Sequence, residues 1–208
     1  EAAKRPVLWL ARHGETEGSR DGRHSGRSDI ALTPAGEAEA RSLEDPMSIV
    51  EFERVLTSPL SRAAETCELA GFRDRAEPRE ELLEWDYGDY EGRTSAQIRE
   101  ERPDWLLWRD GGPGGGPPGE IGARVDSLLG ELLDEEGPIA IFAHGHVLRV
   151  LAARWIGLGP EDGKLLKLNT ATKIVQRMLA DGLVTTRVRP ADGRVTEVTL
   201  TPRGDDMR

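Results

Sequence analysis

"PVLWLARHG", residues 6–14, joins a short continuous apolar run to an arginine, a histidine and a glycine. An apolar run without polar alternation is the pattern of a strand buried on both faces of a mostly parallel sheet. "PIAIFAHGH", residues 138–146, repeats the arrangement and closes on His144. Helix signals lie between the two. Thr33-Pro34 reads as an N-cap followed by a proline at the first helical position, and "TSAQ" at 94–97 reads as a capping box. Ile121, Val125, Leu128, Leu129, Leu132 and Leu133 recur at helical spacing on one stripe. Strands alternating with helices predict an α/β fold with a mostly parallel sheet.

The chain has 208 residues, 37% of them hydrophobic, enough to bury the core of one ordinary domain or of one domain with a small appendage. Acidic residues outnumber basic ones 38 to 28, which argues against bulk affinity for nucleic acid or an anionic membrane. The apolar runs are far shorter than a bilayer span, and "EAAKRPVLWLA" lacks the long apolar segment of a signal peptide. A soluble, cytoplasmic protein is the expectation. A lone cysteine, Cys67, excludes an internal disulfide and a cysteine-rich zinc site. "GGPGGGPPG" at 111–119 is too rich in glycine and proline for regular structure and reads as a mobile surface loop between two helices.

Open α/β sheets bind ligands beyond the carboxyl ends of their strands, which places Arg12, His13 and His144 at one edge. A third strand end follows "RVLTS" at 54–58, where "SPLSRAAET" opens a helix and sends out Arg62 from its first turn. Two arginines and two histidines converging on one spot repel each other unless an anion sits among them. Phosphate suits the planar fork of arginine. The net charge of −10 does not forbid this, because a concave site focuses its own field while surface charges beyond about 8 Å are largely screened.

"RHGET" at 12–16, "SPLSRAAET" at 58–66, "EWDYGDYEG" at 84–92 and "FAHGH" at 142–146 together resemble the histidine phosphatase superfamily, whose fold is phosphoglycerate-mutase-like. The resemblance covers residues 5–168 and keeps the family's order. Within that family "EWDYGDYEG", "WLLWRDGG", "EIGARVD" and "FAHGHVLRVLAARWIGL" are most similar to small sugar-phosphate phosphatases of the sedoheptulose bisphosphatase type. The resemblance implies a three-layer α/β/α fold and hydrolysis of a small phosphate ester without metal or other cofactor. It implies that His13 is the nucleophile and forms a phosphohistidine, and that Arg12, Arg62 and a cationic His144 clamp the transferring group. Glu84 would protonate the leaving alcohol and later take a proton from water, with Asp86 and Asp89 as competitors for that role. Ser19, Ser25 and Gly145 would contact phosphate or substrate. Gly18-Ser19 stands where many relatives carry Trp-Asn, which predicts a roomier or differently shaped entrance, and "GGGPP" at 114–118 replaces the family's frequent "GGES". Mutase-type phosphoryl transfer is the alternative, although the additional basic residues that a mutase uses are not evident.

Rival readings exist for several of these residues. "CELAGFR" at 67–73 has the Cys-to-Arg spacing of cysteine-dependent phosphatases, but Cys67 falls inside a helix begun near Leu60 and reads as packing. A metallohydrolase built on His144-Gly145-His146 lacks a carboxylate at suitable spacing. His24 and His146 read as structural or supporting residues, and Trp85, Trp105 and Trp108 as packing.

From Asn169 the text changes. "NTATKIVQRMLADGL" reads as a capped helix ending at Gly182, and "LVTTRV" and "VTEVTLT" as two strands of a hairpin turning at Asp192-Gly193. This segment resembles the recognition helix and wing of MarR-type winged-helix regulators. Residues 169–208 carry seven Lys or Arg against five acids. The reading divides the chain into a phosphatase domain, 1–168, and a helix-hairpin segment, 169–208. A DNA-binding regulator with a degenerate phosphatase body is the second alternative, although intact catalytic motifs make nucleic acid an unexpected partner. The sequence leaves a homodimer open and predicts no membrane partner.

Overall fold

The computed structural model describes residues 6–166 together with the backbone of 184–188 and 196–200. Four strands, β1 (Leu8–Arg12), β2 (Arg54–Thr57), β3 (Ala76–Pro78) and β4 (Ile139–Ala143), form a parallel sheet in the order β1-β4-β2-β3. The helices α1 (Glu17–Arg20), α2 (Pro34–Arg41), α3 (Glu44–Ser48), α4 (Ser61–Cys67), α5 (Ser95–Glu101), α6 (Leu107–Asp110), α7 (Pro118–Leu132) and α8 (Gly145–Trp155) connect and cover it. The apolar runs at 8–12 and 139–143 are therefore the two strands expected, neighbours in the sheet, with Leu10 opposite Ile141.

Side-chain alternation along these strands divides the interior into two layers, as the twofold period of a strand requires. Leu8, Leu10, Ile139, Ile141 and Ala143 face α7 and α8, packing with Val125, Leu128, Leu132, Leu148 and Leu151. Trp9, Ala11, Ala140 and Phe142 face the opposite way, onto Leu43, Met47, Phe52, Cys67 and Phe72. This is the three-layer α/β/α arrangement. The stripe on α7 is buried as expected from Ile121 to Leu132, but Leu133 caps the helix and is 44% exposed. It follows the last turn and no longer shares the stripe's direction.

Both sequence-level caps are present. Thr33 Oγ1 accepts from Gly36 N–H at 3.1 Å, and Thr94 and Gln97 satisfy each other's backbone N–H groups. β3 has no apolar run to announce it; "AEP" is a three-residue edge paired to β2. Residues 184–188 and 196–200 pair antiparallel in a sheet of their own, the strand pair anticipated by alternation. The expected helix at 169–182 and the Asp192-Gly193 turn lie outside the described residues. Among the described residues no helix is long and apolar enough to cross a membrane.

The glycine-rich stretch at 111–119 is not the loose surface loop expected. Asp89 N–H donates to Pro113 O at 2.8 Å, Gly116 N–H to Asp86 O at 3.1 Å, and the indoles of Trp85 and Trp105 donate to Gly116 O and Gly111 O. A Cβ on Gly112 would stand 2.0 Å from Tyr87 O, and one on Gly115 2.3 Å from Asp86 O. The glycines permit backbone to lie directly on backbone, so the stretch is fastened to the "EWDYGDY" segment.

Candidate active site

β1, β2 and β4 end side by side, and the ladder runs one residue past each outer strand. His13 N–H donates to Ala143 O and Ser58 N–H to Phe142 O, both at 2.9 Å. His13, Ser58 and His144 are thus neighbours at the carboxyl edge, where the outer strands flank a central one and their crossovers leave a crevice. Behind His13, Gly14 N–H donates to Thr66 Oγ1 at 3.0 Å, and Thr66 Oγ1 donates to Arg62 O at 2.7 Å. A Cβ on Gly14 would lie 2.2 Å from Gly36 O, so the turn after β1 rests on the start of α2 with no room for a side chain.

The His13 ring is buried, and its Nδ1 lies 2.8 Å from Gly14 O. A carbonyl only accepts, so Nδ1 carries the proton and Nε2 keeps its lone pair. Burial, reinforced by the Arg12 charge, pushes the ring down to about 3. His13 is therefore a neutral imidazole with an unprotonated Nε2, the state a nitrogen nucleophile needs.

His144 stands 5.2 Å from His13, centroid to centroid, and is fully buried. Arg62 Nε donates to its Nδ1 at 3.1 Å, which puts the ring proton on Nε2, 2.7 Å from Ser58 Oγ. Burial holds His144 well below the ordinary histidine range, and the Arg62 charge acts in the same direction against the attraction of Glu84. The expectation of a cationic His144 is corrected: a guanidinium donating to one nitrogen in a buried site leaves a neutral ring. Arg62 is equally buried and equally engaged. It also donates to Ser28 O at 2.7 Å, Ser25 O at 2.8 Å and Gly26 O at 2.9 Å, leaving one of the five N–H groups of a guanidinium outside these bonds. Glu91 takes the N–H groups of Gly26 and Ser28, so the 25–28 loop is held from both sides.

Glu84 caps α8 from outside that helix. Its Oε1 accepts from Trp85 and Val147 N–H, both at 2.9 Å, and its Oε2 from His146 N–H at 3.0 Å. Burial opposes ionisation, but the His146 interactions and these backbone donors outweigh it and hold the carboxyl well below the ordinary glutamate range. The resting group is a carboxylate. Around it opens a cavity of about 120 Å³ lined by Arg12, His13, Ser19, Ser25, Glu84 and Gly145. Arg23, His24, Tyr87, His146, Arg149 and Thr16 complete the wall.

The family model of the histidine phosphatase superfamily (branch 1) matches residues 8–188. The chain belongs to the histidine phosphatase superfamily. It is 37% identical over 169 residues to an acid phosphatase of Mycobacterium tuberculosis, covering 79% of this chain and 83% of that one. It is 36% identical over 187 residues to the sedoheptulose 1,7-bisphosphatase of Saccharomyces cerevisiae, covering 74% and 69%. A solved structure of an open reading frame product of M. tuberculosis superposes with a TM-score of 0.77 at 31% identity, covering 95% of this chain and 97% of that one. The protein is thus an enzyme, a phosphatase of this superfamily.

In this histidine phosphatase the expected residues separate into two groups. Arg12, His13, Ser19, Ser25, Glu84 and Gly145 line the cavity, whereas Arg62 and His144 stand fully buried behind His13. Ser19 Oγ is itself committed to α1, accepting from Thr16 N–H at 2.9 Å. The entrance beside Gly18 is not the roomier one that the missing indole suggests: a Cβ there would meet Ser25 Oγ at 2.3 Å, so Ser25 occupies the space. His24 and His146, read from sequence as supporting residues, line the wall. Arg23 lies outside the sequence motifs and Arg149 inside the longer "FAHGHVLRVLAARWIGL" stretch; both line the cavity, although sequence alone assigned neither a role. Arg149 lies 4.5 Å over the Trp108 ring, its Nε donating to Gly163 O at 2.9 Å. The available signal is its place five residues after His144, in the first turns of the helix that the histidine opens. Trp85 and Trp105 are buried packing residues, as expected. Cys67 is buried at the end of α4, and burial pushes its thiol up to about 12, which removes it as a nucleophile at neutral pH. Both nitrogens of His144 are engaged, and no cluster of three or more candidate metal ligands occurs among the described residues.

Proposed function

We propose that this enzyme is a cytosolic phosphomonoesterase that hydrolyses small phosphorylated metabolites through a phosphohistidine on His13. The observation carrying this reading is the His13 ring, neutral, fixed by Gly14 O with Nε2 unprotonated, and set in a cavity beside Arg12. The Nε2 lone pair attacks phosphorus, and the ester oxygen departs with the electron pair of the broken P–O bond. Positive charge on the phosphorylated ring is met by the Nδ1–H···Gly14 O bond. Arg12 neutralises the equatorial oxygens, and the remaining Arg62 donor and His144 support the same wall from behind. Water then attacks the phosphohistidine, the P–N bond breaks, and inorganic phosphate leaves.

The leaving oxygen needs a proton, which Glu84 as a resting carboxylate does not hold. A phosphate monoester has a second pKa near 6, so the substrate monoanion carries one. Glu84 relays that proton to the leaving alcohol and, in the second half, takes one from the attacking water. Three arginines against one carboxylate in the lining favour a metabolite with a second anionic group, held by Arg149 and Arg23 away from the scissile bond. Mutase-type transfer remains the second reading, now favoured by those two arginines. Treating the tail after Leu168 as an appendage has the separate sheet at 184–188 and 196–200 in its favour and the family model, which runs on to residue 188, against it. The test is His13→Ala, which should abolish turnover and acid-labile labelling by radioactive substrate. Retention of both would overturn the proposal.

A further inference from the structure

Resting on the reading of Glu84 as proton relay, we infer that Arg124 of α7 is the positioning residue that fixes Glu84 for the reaction. The segment that delivers Glu84 leaves a short 3₁₀ turn at Glu80–Leu82 and runs on irregularly, so its carbonyls have few partners of their own. Arg124 crosses from α7 and gathers them. Its two Nη1 N–H groups are shared among Leu83 O at 2.6 Å, Glu81 O at 2.9 Å and Glu80 O at 3.2 Å, and its Nη2 donates to Glu84 O at 3.3 Å. Four acceptors from five residues need a rigid, acceptor-free fork of donors, which guanidinium is and an ammonium is not.

Glu84 is consequently held at two ends by two helices. α8 grips its carboxylate through His146 and Val147 N–H, and α7 grips its main chain through Arg124. Leu82 and Trp85 already anchor the segment in the core, both at most 1% exposed. Their apolar contacts fix its depth and leave the setting of residues 83 and 84 to the polar bonds. A relay tolerates little error: displacement of a reacting group by about 1 Å costs on the order of 10²-fold in rate. Arg124 touches no substrate. Its effect therefore falls on proton delivery, and delivery matters most for leaving groups that cannot depart as anions.

The experiment measures kcat and KM of Arg124→Met and Arg124→Lys on p-nitrophenyl phosphate, a good leaving group, and on glycerol 2-phosphate, a poor one. The expected result for Arg124→Met is a loss in kcat on the order of 10²-fold on glycerol 2-phosphate. Its kcat on the aryl ester should fall several-fold less, with KM little changed. Arg124→Lys should recover part of the difference. Equal losses on both substrates, the mark of a smaller correctly folded fraction, would overturn the inference, as would no loss on either. Should Arg124→Met not fold, the same comparison is made with Arg124→Lys and decides the matter by the same criterion. Glu84→Gln is measured in parallel. If it fails to discriminate between the esters, the reading of Glu84 falls and takes this role with it. Discrimination in Glu84→Gln but in neither Arg124 variant overturns the role of Arg124 alone.

Discussion

Glu84→Gln should also destabilise the protein, for a reason separable from catalysis. The carboxylate receives three backbone N–H groups, Trp85 and Val147 on Oε1 and His146 on Oε2. An amide of the same shape has a single acceptor oxygen. Whichever way it turns, its NH2 faces a backbone donor, and the least costly choice opposes His146 N–H. A buried donor left without an acceptor costs about 1–3 kcal/mol. Removing negative charge from the N-terminus of α8 costs about 0.3–1 kcal/mol more. The amide avoids the penalty of burying a charge, which offsets part of this. A net loss of about 1–3 kcal/mol lowers Tm by roughly 3–10 °C in a protein of this size. Thermal unfolding followed by circular dichroism at pH 7 measures it. The sign with pH is fixed: a depressed carboxyl contributes stability above its unfolded value and loses it as pH falls through the folded one. The gap between parent and variant should therefore persist at pH 7, begin to narrow below about pH 4 and close only as pH falls through the depressed folded value. A variant as stable as the parent at pH 7 would refute the claim that Glu84 caps α8.

Three further outcomes follow from the same geometry. His13, His24 and His144 are held neutral by burial, His13 at about 3 and His24 at about 4, so each binds a proton more readily in the unfolded chain. Stability should fall as pH drops below 6.5, by about 1.4 kcal/mol per pH unit for each histidine, and urea midpoints that stay constant between pH 7 and 5 would contradict this. Gly14→Ala drives a Cβ to 2.2 Å from Gly36 O, a backbone atom that cannot swing aside, so kcat should fall by on the order of 10²-fold along with thermal stability; near-parental kcat would show that the turn yields. Cys67→Ala should leave kcat within about twofold and iodoacetamide should not inactivate the parent, given a thiol pushed up to about 12; inactivation that tracks Cys67 labelling would revive the cysteine mechanism.

The sheet is legible in the sequence because β1 and β4 are continuous apolar runs, and the catalytic edge because each run stops at a histidine. β3 is not, because an edge strand of three residues needs no apolar pattern when one side of it is open. The glycine-rich stretch misleads for a related reason. Glycine allows chain flexibility and close backbone packing alike, and only the partner segment decides between them. Protonation is the least legible layer. "FAHGH" and "SPLSR" place a histidine and an arginine together, but the donation from Arg62 Nε to His144 Nδ1 that makes the ring neutral depends on a rotamer, which one-dimensional spacing does not carry. Arg149 and Arg23 are hidden among ordinary surface charges until the fold turns them toward one cavity.

The contact of Gly14 with Gly36 has an evolutionary corollary. The end of the cavity that handles phosphorus is assembled where main chain abuts main chain, so almost every mutation there is rejected and the chemistry is insulated from drift. The opposite rim is made of side chains at 23, 24, 25 and 149. Selection can therefore rewrite the guest list of such an enzyme without reopening the question of how it breaks the bond.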